Sequence, residues 1–131
     1  MNDPALLFAF IEVESGFNAR AFANDRNGGS YGLMQIDLAT AADRGYMGEA
    51  TGLYDPETNI KYGCAILDWI TADLTKFGMY SVANLAAAYN SGLSHVLGGG
   101  TDAPYTTKIA TALAKWRAIF PPAPLGGHDE A

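Results

Sequence analysis

Cysteine is nearly absent: Cys64 is the only one in 131 residues, so no internal disulfide can form and the redox compartment stays open. The thiol reads as a small buried apolar side chain. Basic residues are also few. Eight Lys and Arg are scattered along the chain against fourteen Asp and Glu, for a net charge of -6. Phosphate binding needs clustered cations, so nucleic acid is excluded as a partner, and anionic membrane surfaces with it. No apolar run approaches the ~18 residues that cross a bilayer, so no membrane insertion and a soluble protein are expected. Charged residues make up only 17% against 49% apolar, which excludes a disordered chain. The two histidines, His95 and His128, and the lone cysteine lack metal-ligand spacing, so neither a metal nor a cofactor is expected and both histidines read as incidental. The start, Met1-Asn2-Asp3-Pro4, has no basic n-region, and no small-residue cleavage site follows Leu6 to Ile11, so no secretory signal is read.

What is present is one domain's worth of helix. Asp3-Pro4 supplies an N-cap and a proline at the first helical position, Leu6, Leu7, Phe10, Ile11 and Val13 form an apolar stripe, and Gly16 is a natural stop. Residues 18–32 are dense in Asn, Asp, Gly and Ser and read as a loop with room for a short hairpin. A second Asp-Pro start at Asp55-Pro56 precedes Ile60, Cys64, Leu67, Ile70, Leu74 and Phe77 at spacings of three and four. Ser81 caps an alanine-rich helix from Val82 to Tyr89 that ends at Gly92. Gly98 to Gly100 make a flexible connection, and Pro104 opens a last helix with Ile109, Leu113, Trp116 and Phe120 on one face. The expected class is mainly α, with at most a small hairpin or sheet beside a cleft. The expected division is a catalytic domain over residues 1–120 and a Pro/Gly-rich tail over 121–131.

The chemistry gathers around Glu14, at the end of the first apolar helix in Glu14-Ser15-Gly16-Phe17-Asn18. Cleaving a glycosidic bond needs a proton on the leaving oxygen, and a carboxyl group at a helix end, facing a backbone loop, is placed to deliver it. Taken alone, a Glu in that position is usually a solvated charge. Its context is more telling. The run Gly32-Leu33-Met34-Gln35-Ile36 follows, then Asp55-Pro56 with Asn59-Ile60 and Gly63, then Ala88-Tyr89-Asn90-Ser91-Gly92. In order and spacing these resemble the soluble lytic transglycosylase domain of the lysozyme-like superfamily, over roughly residues 4 to 120.

The resemblance implies an α+β lysozyme-like fold and cleavage of the β-1,4 bond between N-acetylmuramic acid and N-acetylglucosamine in peptidoglycan glycan strands. It makes Glu14 the sole acid and base, Ser15 a hydroxyl partner near the reacting sugar, and Met34 and Gln35 part of the cleft wall. It places the Tyr89 phenol near Glu14, gives Asn90 a role in holding backbone or sugar, and makes Tyr105 an aromatic that closes the cleft. The product it implies is a 1,6-anhydromuramyl end, formed without water and without a metal. The loop Asp25-Arg26-Asn27-Gly28-Gly29-Ser30-Tyr31, continuing to Asp37, also resembles that of goose-type lysozymes, which hydrolyse. That alternative makes Asp25 or Asp37 a second carboxylate positioning water. A non-catalytic wall-binding or virion module is the rival from another class.

Bland roles compete at several positions. Asp25 and Asp37 are ordinary turn and helix caps, Asp37 for a helix through Leu38, Ala41 and Ala42. Glu12 lies about 200° around the helix from Glu14 and cannot pair with it. Trp69 and Trp116 read as packing residues before they read as sugar platforms. A monomer is the default, and delivery to a cell wall by a phage particle, a lysis system or a longer parent chain are all compatible with the missing signal.

Overall fold

The computed structural model describes residues 1–25 and 28–122, so Arg26, Asn27, His128 and nearly all of the expected tail lie outside the described residues. The order is α1 (Pro4–Ser15), β1 (Phe22–Ala23), β2 (Ser30–Tyr31), α2 (Leu38–Asp43), a 3₁₀ turn (Ala50–Tyr54), α3 (Pro56–Lys76), α4 (Val82–Ser91), α5 (Leu93–Leu97) and α6 (Ala103–Ile119). The fold is thus mainly helical with one two-stranded antiparallel hairpin, pairing Phe22 with Tyr31 and Ala23 with Ser30.

Local chemistry explains where the helices begin. Asp3 accepts from the Leu6 N–H, Asp37 from Thr40, Asp55 from Thr58 and Ser81 from Asn84, each satisfying a donor that a first turn leaves open. α1 ends in Gly16 at φ 61°, the left-handed conformation that costs glycine least. The short α5 is absent from the sequence reading. Five residues are too few to show a period, and the helix survives only by packing on α4.

α4 is the central element, touching α3, α5 and α6. Its consecutive residues Leu85, Ala86, Ala87, Ala88 and Tyr89 are all buried, so the helix is apolar on every side and its alanines let neighbours approach closely. α1 lies along α6, with Phe10 and Ile11 inside and Ile109 facing them in the same core as Met34, Leu53, Leu67 and Leu74. Cys64 is half-buried rather than fully enclosed, and its burial still pushes the thiol above its ordinary range.

One buried polar residue fastens the loop after the hairpin. Asn59, on the buried stripe of α3, is fully enclosed. Its Oδ1 accepts from the Met34 N–H at 2.8 Å, and its Nδ2 donates to the carbonyls of Tyr31 at 2.8 Å and Leu53 at 2.7 Å. Gly32 approaches it so closely, at φ 76°, that any Cβ would collide with the Asn59 amide and the Leu53 carbonyl.

Candidate active site

Glu14 occupies the last turn of α1, and the helix ends there because Gly16 turns the chain away. The hydroxyl of Tyr105, in the first turn of α6, donates to Glu14 Oε2. Two positions 91 residues apart meet because α1 and α6 pack side by side. An acid held by a phenol is oriented by it, since the single hydroxyl proton points at one carboxylate oxygen.

The loop after the hairpin is a tight turn. Tyr31 and Ile36 exchange both backbone bonds, at 3.0 and 3.1 Å, and the intervening Gln35 N–H closes onto the Gly32 carbonyl. Gln35 itself sits at φ 51°, a left-handed conformation that costs a residue with a side chain about 1 kcal/mol or more. Its amide Nε2 offsets that cost by donating to the carbonyls of Ala21 at 3.1 Å and Gly32 at 3.0 Å. The Tyr89 hydroxyl, rising from α4, donates to the Met34 carbonyl at 2.7 Å. The loop is therefore held from α3 by Asn59 and from α4 by Tyr89.

Each expected site residue has a definite place. Met34 is fully buried, its side chain filling the core against Gly63 and its N–H and carbonyl engaged by Asn59 and Tyr89. Gln35, Asp37, Trp69, Tyr89 and Asn90 all line one cleft of about 430 Å³. Glu14 and Tyr105 are not among the described residues lining it, and Tyr89 reaches towards α1 through its ring, 5.0 Å from that of Phe10. Ser15 is engaged locally, donating to the Ile11 carbonyl at 3.2 Å and accepting from the Asn18 N–H at 3.3 Å. Asn90 donates to Asp102 at 2.8 Å. The Tyr105 phenol bonds Glu14, and the Tyr89 hydroxyl donates to the Met34 carbonyl.

The two loop aspartates differ. Asp25 accepts from the Ser30 hydroxyl at 2.7 Å and braces the hairpin. Asp37 is buried, caps α2 through the Thr40 N–H at 3.2 Å and hydroxyl at 2.7 Å, and still contributes to the cleft wall. Glu12 meets the other end of α6. The Lys115 ammonium at 2.6 Å, first, and the Trp116 indole at 2.8 Å hold its carboxyl below the usual range. Trp116 also packs edge-on against Phe8, so it is a packing residue as expected. Trp69 is not: 36% exposed, it lines the cleft with the Arg44 guanidinium 4.6 Å from its ring centre.

Three contributors had no role assigned from the sequence, although Asn59 stands in the Asp55-Pro56 motif. Asn59 had a signal, a polar residue on an otherwise apolar face of α3. Arg44 and Asp102 had none, because their neighbours come from other helices. Arg44 Nε is buried without a hydrogen-bond partner among the described residues, at the wall of the same cleft. Among the described residues no group of three or more His, Cys, Asp or Glu side chains comes together, and no helix is long and apolar enough to cross a membrane.

Comparison with known proteins agrees with this arrangement. The chain superimposes on the 70 kDa soluble lytic transglycosylase SLT70 of Escherichia coli with a TM-score of 0.75 and 24% identity, covering 92% of this chain and 22% of that one. It superimposes on an inactive Glu-to-Gln mutant of the lytic transglycosylase Slt of Pseudomonas aeruginosa with a TM-score of 0.73 and 20% identity, covering 88% of this chain and again 22% of the other. The chain therefore spans about a fifth of each solved relative, and at these identities the likeness speaks for the fold. The sequence profile of the transglycosylase SLT domain matches residues 1–106, most of the chain, and the protein belongs to that family.

Proposed function

We propose that this domain is a lytic transglycosylase that cleaves the β-1,4 bond between N-acetylmuramic acid and N-acetylglucosamine in peptidoglycan strands, with Glu14 as its single acid and base. The observation that carries the reading is the Glu14 carboxyl at the end of α1, held by the Tyr105 phenol. In this reading Glu14 gives its proton to the bridging oxygen as that bond breaks. The resulting carboxylate then takes the proton of the muramyl 6-hydroxyl as its oxygen attacks the anomeric carbon. The proton count closes, no water is consumed, and the product carries a 1,6-anhydro ring. Tyr105 orients the carboxyl group through both steps, and Gln35, Asn90 and Trp69 supply polar and stacking contacts along the cleft. Inactivity of the Pseudomonas relative with Gln in place of one Glu supports a reaction that requires a glutamate carboxyl group.

The domain would act at the bacterial cell wall, in the periplasm or outside the cell, as a monomer and without a cofactor. A second reading, hydrolysis, is favoured by one observation: Asp37 is a buried carboxylate in the cleft wall. Digestion of purified peptidoglycan followed by mass spectrometry separates the readings. Anhydromuramyl ends are expected. Products one water heavier would assign Asp37 the positioning of water, and binding without products would make this a wall-binding module.

A further inference from the structure

Asp102 belongs to none of the motifs above, yet it joins two of the helices that build the site. It immediately precedes α6, three residues before Tyr105, and its side chain makes no cap bond within that helix. Its Oδ2 accepts instead from Asn90 Nδ2 at 2.8 Å and Ser91 Oγ at 2.7 Å, the last two residues of α4. These bonds, Asn90 first, hold the carboxyl below its ordinary range. The Tyr105 N–H adds a weaker electrostatic pull.

The chain between these helices is fastened back onto α5, where the Gly98, Gly99 and Gly100 N–H groups donate to the Ser94, Val96 and His95 carbonyls. After α5 it passes through Gly98, Gly99 and Gly100, with Gly99 at φ 96°, and the only other side-chain tether described there is His95 Nε2, 3.0 Å from the Thr101 carbonyl. One carboxylate thus ties the end of α4, next to Tyr89, to the start of α6, which carries Tyr105. We infer that Asp102 is a positioning residue: by clamping α4 to α6 it sets where the Tyr105 phenol stands and so how the Glu14 carboxyl is aimed. This rests on the reading of Glu14 as the acid. A displacement of about 1 Å in such an arrangement costs up to about a hundredfold in rate.

The test compares the wild type with Asp102→Ala, Asp102→Asn, Tyr105→Phe and the Asp102→Ala/Tyr105→Phe double variant on peptidoglycan strands. Asp102→Ala is expected to lower kcat about ten- to hundredfold with KM within about twofold. Asp102→Asn, which can still accept both bonds without the charge, should recover part of that loss. The double variant should be no slower than Tyr105→Phe, because both changes act through one contact. A raised KM with kcat kept would mean that Asp102 serves the Asn90 side of the cleft, and additive losses would separate it from Tyr105; either overturns the inference. A second measurement needs no turnover. The 13Cζ resonance of Tyr105, assigned through Tyr105→Phe, should move in Asp102→Ala in the same direction as in Glu14→Gln. An unmoved resonance sinks the role of Asp102, whereas a wild type that leaves glycan uncut sinks the functional reading and leaves this resonance to decide.

Discussion

Asn59 carries more of the site than its chemistry suggests, because three backbone groups of the loop and the 3₁₀ turn depend on its amide. Removing it takes the partner from the Met34 N–H and the Leu53 carbonyl in a closed interior, at about 1 to 3 kcal/mol for each group that water cannot reach, while the Tyr31 carbonyl keeps the Ile36 N–H. Asn59→Ala is therefore expected to lose at least about 2 kcal/mol in urea unfolding, whereas a solvated polar residue would lose less than about 0.5. Glu14 and Tyr105 make the complementary prediction. Glu14→Gln should abolish glycan cleavage with an unchanged Tm, since a partly exposed side chain at a helix end is replaced by its isostere. An active Glu14→Gln enzyme would refute the assignment. Tyr105→Phe keeps the ring and removes only the donor, so a fall in kcat of about tenfold or more is expected with little change in KM. Asn59 was legible as a polar break in an apolar stripe, and Glu14 as part of a motif, but the Tyr105–Glu14 bond was not. Its partners sit 91 residues apart, and no local pattern encodes their meeting.

At the scale of the elements, the N-caps made helix starts readable while packing decided the rest. Asp3 shows both effects at once, capping α1 through the Leu6 N–H and pairing with Arg117 of α6 at 2.5 and 2.9 Å. Arg117, as the largest influence, holds the Asp3 carboxyl below its ordinary 3.8. A carboxyl whose native value is depressed contributes stability that is fully present above the unfolded value and is lost as pH falls through the native one. Asp3→Asn keeps the cap and removes the charge. The Tm difference between wild type and Asp3→Asn should thus be present at pH 6, shrink below pH 3.8 and vanish once both chains are neutral there. It should be small, because the pair is about one-third exposed on each side. A difference that persists unchanged at low pH would assign it to packing instead. The buried alanines of α4 are the steric counterpart. Ala86 has no exposed surface, so Ala86→Leu should destabilise by about 1 to 3 kcal/mol in the same unfolding measurement.

For the whole molecule, charge is the property with a direct consequence. A chain of net charge -6 approaching a wall rich in carboxylates is repelled at long range, and salt screens that repulsion to about 8 Å near physiological strength. Turnover of insoluble peptidoglycan should accordingly rise between about 10 and 150 mM salt, while turnover of short neutral glycan fragments stays level. A fall with salt on the polymer would point to a local basic contact, for which Arg44 in the cleft is the first residue to replace.

Composition, caps and period were enough to determine a mainly helical domain, its four principal helices and the helix end that presents Glu14, because each is set by interactions within a few residues. Tertiary structure decided that the Tyr105 phenol meets Glu14, that the Met34 side chain lies in the core, that Trp69 stands in a cleft rather than a core, and that Asp102 bridges two helices. Those outcomes depend on how α1, α3, α4 and α6 pack together. Packing joins residues by distance in space, which a linear pattern does not record.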